Sequence, residues 1–210
     1  MKPIGRLHVL TDSELQSRWS PLDLAQAALD GGADTIQYRR KQGATRLMLQ
    51  EAIAIREACR RKKVTLIVND RVDVALFSDA DGVHVGDEDL PVSLAREILG
   101  PGRIIGGSAY DAQGAQARLR DGADYGGIGP VFSTTSKPDA GPVLGLAGLA
   151  RAVREAKFPL IAIGGINAEN LAEVLATGVY GVAVLGAVCL ADDPAAEVAK
   201  LRSLIEARGA

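Results

Sequence analysis

The chain repeats one pattern of hydrophobic and polar positions: a short apolar run that stops abruptly on polar residues or glycine, followed by a stretch with apolar residues at helical spacing. The clearest case is Leu66-Ile67-Val68-Asn69-Asp70, where three consecutive apolar residues end at an amide and a carboxylate. Such a run is long enough for a buried strand and too short for a helix. The next residues, Arg71-Val72-Asp73-Val74-Ala75-Leu76-Phe77, have helical spacing, so Asn69 and Asp70 fall at a strand-to-helix junction. In parallel α/β proteins that edge binds ligands and carries the reacting side chains.

The same reading predicts strands over 6–12, 35–41, 66–70, 82–86, 103–108, 124–129, 159–163 and 181–185. It predicts helices over 21–29, 46–61, 71–77, 91–99, 112–120 and 146–156, one capped by Asn167 and running to 176, and a last one from about 194 to 207. Ser20 is placed as an N-cap with Pro21 in the first helical position, while Gly31-Gly32 and Gly100-Pro101-Gly102 stop helices. A longer segment rich in Gly, Pro, Ser and Thr, 130–145, breaks the rule of short connections and reads as a flexible active-site loop.

An internal echo supports the count: Gly32-Ala33-Asp34, Ala80-Asp81-Gly82, Gly122-Ala123-Asp124 and Gly178-Val179-Tyr180-Gly181 each stop a helix and open a strand. Eight such units in one chain predict a single-domain (β/α)8 TIM barrel over residues 1–210. An open doubly wound sheet would carry a glycine-rich turn after its first strand, where this chain has Leu10-Thr11-Asp12.

Composition narrows the class. With 210 residues, 47% of them hydrophobic and 24% charged, the chain is large enough for a substantial core. A net charge of -2 with scattered Lys and Arg offers no basic stripe for nucleic acid. The apolar runs are too short to span a membrane, and the start of the chain does not read as a secretory signal. Cys59 and Cys189 lack metal-ligand spacing and read as small buried hydrophobes in a cytoplasmic protein. A homo-oligomer is compatible with all of this.

In a barrel, the strand ends would gather Gln37, Arg39, Lys41, Asn69, Asp70, Asp87 to Asp89, Ser108, Thr134 to Lys137, Gly164, Gly165 and Gly186 on one rim. Cations on several segments can grip phosphate oxygens, Arg as a planar fork and Lys as a point charge. Asp70 and Asp89 can share a divalent cation such as Mg²⁺, which uses one or two carboxylates and leaves other positions to water and substrate phosphate. The pattern is that of a pyrophosphate-metal site. Glycines in Ile163-Gly164-Gly165-Ile166-Asn167 and Leu185-Gly186-Ala187 suggest a second phosphate site, or else close packing. Asp70 alone could merely cap a helix, and Asp89 alone would be an ordinary helix N-terminal acid. His8 and His84 sit within strands and read as core residues, which excludes a Ser-His-Asp arrangement.

These residues resemble the thiamine phosphate synthases and their thiazole tautomerase relatives. The resemblance runs through Ile36 to Lys41, Val68 to Asp73, Asp81 to Gly86 with Asp89, Ile105 to Ser108, Asp124 to Lys137, and Ala162 to Ile166. It implies a transferase that joins a hydroxymethylpyrimidine pyrophosphate to a thiazole phosphate, giving thiamine phosphate and pyrophosphate by a dissociative route. It further implies Mg²⁺ on Asp70 and Asp89, pyrophosphate on Arg39, Lys41, Asn69 and Lys137, and the pyrimidine or leaving group on Gln37 and Ser108. The thiazole phosphate would lie on Thr134, Ser136 and Gly165 and the turn at Leu185 and Gly186. Arg39, Lys41, Ser108 and Lys137 would be the catalytic groups. Arg40 stands where an acid is common, Ser136 where Thr is usual, Tyr110 where His is frequent, and Gly186 where Ser is usual. A tautomerase-like isomerase and a non-catalytic phosphate-binding barrel remain alternative readings.

Overall fold

The computed structural model describes residues 2–136 and 141–208. Eight parallel strands close into a barrel in sequence order: β1 (Leu7–Leu10), β2 (Thr35–Tyr38), β3 (Thr65–Asn69), β4 (Gly82–Val85), β5 (Ile104–Ala109), β6 (Tyr125–Ile128), β7 (Leu160–Ala162) and β8 (Gly181–Val184). β8 pairs back onto β1, which leaves no exposed strand edge. Helices α1 (Pro21–Asp30), α2 (Thr45–Lys62), α3 (Val72–Phe77), α4 (Val92–Leu99), α5 (Ala112–Arg120), α6 (Gly145–Glu155), α7 (Leu171–Ala176), α8 (Gly186–Cys189) and α9 (Pro194–Ala207) complete the ring. This is the (β/α)8 architecture that the sequence pattern predicts. No helix among the described residues is long and apolar enough to cross a membrane.

Alternation along the strands separates two cores. Leu7, Val9, Ile36, Leu66, Val68 and Val83 face the helices, whereas Leu10, Ile67, Ile104, Tyr125, Ile161 and Ala183 fill the barrel interior. His8 and His84 share that interior, and Gly127 makes room for one of them: a Cβ there would sit 2.7 Å from His84 Cε1.

The recurring Gly/Ala-Asp signature has a specific job at the amino-terminal face. Asp34 Oδ2 accepts from the backbone N–H groups of Arg6 and Leu7 at the start of β1, each at 3.0 Å. Asp81 accepts from Leu66 N in β3 at 2.9 Å, and Asp124 from Ile105 N in β5 at 2.7 Å. Each carboxylate is also gripped by an arginine: Arg202 on Asp34, Arg56 on Asp81 and Arg96 on Asp124. The fourth repeat carries Tyr180 instead, whose hydroxyl donates to Ile4 O. These staples tie neighbouring units together on the face opposite the site.

Local chemistry sets several helix starts. Ser20 Oγ accepts from Asp23 N and Asp23 Oδ2 from Ser20 N, a capping box with Pro21 in the first turn. Asn167 makes the bonds of the expected cap, its side-chain oxygen accepting from Glu169 N at 2.9 Å and Asn170 N at 3.3 Å and its carbonyl from Leu171 N at 3.0 Å, although the regular turns of α7 start only at Leu171. A short helix, α8, also follows β8 directly, because Leu185 O and Gly186 O accept from Cys189 N and Leu190 N.

Candidate active site

The carboxyl ends of the strands surround a cavity of about 600 Å³. Gln37, Arg39, Lys41, Asn69, Asp70, Asp89, Ser108, Thr134, Ser136, Gly165, Leu185 and Gly186 all line it. Lys137 lies outside the described residues. The sequence thus gathers its candidates from all strand ends except β1, and β1 contributes a residue that pattern reading missed.

That residue is Asp12. It follows β1, is almost fully buried, and pairs through Oδ2 with the Arg39 guanidinium, while its Oδ1 accepts from Glu14 N and Leu15 N at 2.7 and 2.8 Å. Arg39 N donates to Thr11 Oγ1 at 3.2 Å, so β1 holds both ends of this arginine. Its signal in the sequence was its position, a carboxylate ending a strand just as Asp70 does. On β2 the alternation holds: Gln37, Arg39 and Lys41 face the cavity, whereas Tyr38 and Arg40 turn outward and both bond Glu51.

Asp70 has φ +65, a left-handed conformation that costs a non-glycine residue about 1 kcal/mol or more. This backbone sends its carboxylate to Lys41, with Nζ to Oδ2 at 2.5 Å, rather than onto the following helix, where Arg71 is the N-cap and no side chain caps. Asp89 likewise caps no helix; its Oδ2 accepts from Gly86 N at 2.7 Å. Burial, aided by the adjoining Asp70 carboxyl, raises the Asp89 pKa above the usual carboxylate range, against the opposing pull of Gly86 N–H and Lys41. Two acids that resist joint ionisation make a place where a divalent cation is electrostatically favoured. Among the described residues no third acid, His or Cys joins them, which suits a cation that completes its shell with water and substrate oxygens.

The loop bearing Asp89 is fastened from outside the barrel. Arg118, on α5, pairs with Asp87 and donates Nε–H to Ser108 O at 2.8 Å, linking the β4 loop to the end of β5. Ser108 Oγ lies 3.1 Å from His84 Nε2, and His84 Nδ1 lies 3.0 Å from Tyr125 Oη.

On the opposite side, Gly164 and Gly165 have φ +101 and +67. A Cβ at Gly165 would sit 2.7 Å from Ser133 O, so glycine lets the β6 loop lie against the β7 turn. Ser136 N donates to Thr134 Oγ1 at 3.2 Å, and a Cβ on Gly186 would sit 2.8 Å from Ser136 Oγ. Tyr110 lines the cavity and is 37% exposed. The two cysteines stay out of the chemistry, since burial pushes both thiols up to about 12.

A model of the thiamine monophosphate synthase family matches residues 7–188. The chain belongs to that family. It is 50% identical over 201 residues to the thiamine-phosphate synthase of Chloroflexus aurantiacus, covering 95% of this chain and 92% of the relative. It is 47% identical over 209 residues to that of Moorella thermoacetica, covering 99% of each. Among solved structures, thiamine phosphate pyrophosphorylase from Pyrococcus furiosus superposes with a TM-score of 0.89 at 44% identity, covering 96% of each chain. A 3-hexulose-6-phosphate synthase at 21% identity and TM-score 0.68 shares the barrel alone.

Proposed function

We propose that this enzyme condenses 4-amino-5-hydroxymethyl-2-methylpyrimidine pyrophosphate with 4-methyl-5-(2-hydroxyethyl)thiazole phosphate, yielding thiamine phosphate and pyrophosphate. The reading rests on family membership over nearly the whole chain and on one observation above all: Arg39, Lys41, Asn69, Asp70, Asp89 and Ser108 converge on one cavity.

The bond from the pyrimidine methylene carbon to the pyrophosphate oxygen breaks first, and its electron pair leaves with pyrophosphate. The thiazole nitrogen then supplies the pair for the new carbon–nitrogen bond. Charge therefore grows on the leaving group, and fixed cations stabilise it more in the transition state than before. Arg39, held by Asp12, supplies a planar fork already oriented before substrate binds; Lys41 and Lys137 add point charge, and Asn69 an amide donor. Asp70 and Asp89 would hold Mg²⁺, which when bound would supply positive charge to the leaving pyrophosphate. Gln37 and Ser108 orient the pyrimidine side. Thr134, Ser136, Gly165 and the turn at Leu185 and Gly186 seat the thiazole phosphate, and the apolar floor around Ile161 and Ala183 keeps water from the cation.

A thiazole isomerase needs an acid–base group titrating near neutrality. Burial lowers the His8 imidazole to about 4, the His84 ring nitrogens face Ser108 and Tyr125, and position 110 carries a phenol. That favours the transferase. The test is thiamine phosphate formation from the two purified substrates with Mg²⁺ and with chelator. Metal-dependent product is expected, with turnover reduced by orders of magnitude in Arg39→Ala and Asp89→Asn; no product from folded protein would overturn the reading.

A further inference from the structure

On the cavity wall beside Ser108, half-buried His84 and buried Tyr125 form a row of polar groups whose hydrogens are fixed by counting. Tyr125 is 1% exposed, and its phenol is pushed well above its usual range by burial, so it stays neutral. Its only hydrogen-bond partner among the described residues is His84 Nδ1, at 3.0 Å. A buried hydroxyl that donates to nothing is costly, so the Tyr125 O–H donates there and Nδ1 carries the lone pair. The imidazole proton is then on Nε2, which faces Ser108 Oγ at 3.1 Å and donates to it. The Ser108 O–H is thereby turned away from His84. It faces the cavity, where no described protein group accepts it.

We infer that Tyr125 and His84 are positioning residues that fix the polarity of Ser108, making it a hydrogen-bond donor to an acceptor atom of the pyrimidine pyrophosphate, either a ring nitrogen or a pyrophosphate oxygen, and not to its amino group. The inference deepens the synthase reading and rests on it for the identity of the ligand. The reverse polarity would leave a buried phenol hydrogen unpaired and would offer the substrate an acceptor. With the observed direction, the donor is oriented before substrate arrives, and no reorganisation is needed as charge develops.

Two measurements test it. In protein labelled with ¹⁵N in its imidazoles there are two histidines to observe, and Ser108→Ala identifies His84 by the signal it shifts. The parent chain is expected to show the His84 proton on Nε2, and Tyr125→Phe, which keeps the ring and removes the donor, to move population toward the Nδ1–H form. Thiamine phosphate formation should fall about tenfold in Tyr125→Phe, the worth of one hydrogen bond. Tyr125→Phe combined with Ser108→Ala should be no slower than Ser108→Ala alone. Inhibition by pyrophosphate and by the pyrimidine alcohol separates the two acceptors, since Ser108→Ala weakens whichever one carries it. A Nδ1–H signal for His84 in the parent chain, or effects that multiply in the double variant, would overturn the inference. Absence of product from the parent chain would sink the synthase reading alone, because the spectrum decides the hydrogen-bond direction without any substrate.

Discussion

Asp12 at the end of β1 grips the Arg39 guanidinium at the end of β2 where both side chains are nearly withdrawn from water, at 2% and 10% exposure. One face of Arg39 is thus neutralised by protein while the residue still lines the cavity. Asp12→Asn keeps an oxygen for Glu14 and Leu15 N–H and removes the charge. Loss of one partner from a buried ion pair costs roughly 3 kcal/mol. Denaturant unfolding should show that loss, and inorganic pyrophosphate should return more stability to the variant than it adds to the parent, because the ligand then supplies the missing negative charge. Equal gains in both proteins would remove Arg39 from the pyrophosphate assignment.

The backbone at Asp70 makes a different trade. Its φ of +65 suits glycine, and the ion pair with Lys41 is partly exposed, a kind worth little in water. Asp70→Gly and Asp70→Ala both remove the carboxylate and should both lose turnover. The glycine variant should be the more stable of the two by about 1 kcal/mol, since alanine keeps the strain of a Cβ in the left-handed region. Thermal or urea unfolding of the pair decides it; an alanine variant as stable as the glycine one would mean that this conformation stores no strain.

How much of this was legible in the chain depended on the range over which each signal acts. Strand ends and their polar tips are local, so Asn69, Asp70 and Ser108 could be placed from adjacent residues, and the period of two sorted Gln37, Arg39 and Lys41 from Tyr38 and Arg40. The Gly/Ala-Asp repeat was visible as punctuation. Its use as a staple was not, because Asp34, Asp81 and Asp124 bond strands up to 28 residues away in sequence. The same holds for Asp12 with Arg39, for Arg118 with Asp87, and for the row from Tyr125 to Ser108. Each joins different βα units, and only closure of the barrel brings them together. Asn167 could be placed as a cap because its bonds are local, whereas the turn that separates it from the regular part of α7 is a choice between two local hydrogen-bonded forms that sequence spacing leaves open.

Gly186 and Ser136 meet between β8 and the β6 loop, where a Cβ on the glycine would lie 2.8 Å from the serine hydroxyl. Ser136 therefore occupies space that a side chain at 186 would claim. Gly186→Ala should displace the hydroxyl by a few tenths of an ångström and leave the pyrophosphate side alone. Steady-state kinetics should show the KM for thiazole phosphate rising about tenfold, the loss of one hydrogen bond, with the KM for the pyrimidine substrate unchanged. A rise confined to the pyrimidine substrate would move Ser136 to the other subsite.

His8, a buried residue of the barrel interior that also lines the cavity, carries a pH dependence of stability. Its Nε2 donates to Gly5 O at 3.0 Å, its Nδ1 is buried with no hydrogen-bond partner among the described residues, and burial lowers its pKa from 6.5 to about 4. In the unfolded chain the imidazole takes a proton near 6.5, whereas in the folded barrel it refuses one until about 4. Its contribution is therefore fully present above 6.5 and is lost as pH falls through that window, by about 3 kcal/mol in total. Asp73 and Asp79, held low by Arg71 and Arg103, lose theirs as pH falls from the ordinary carboxylate range to below it. Asp89, held high, acts in the opposite sense. Comparing the parent with His8→Gln, which keeps a donor for Gly5 O and cannot titrate, isolates the imidazole. Urea unfolding between pH 7 and pH 4 should show the parent losing stability faster than the variant, and parallel curves would mean that His8 is protonated as readily inside the barrel as in water.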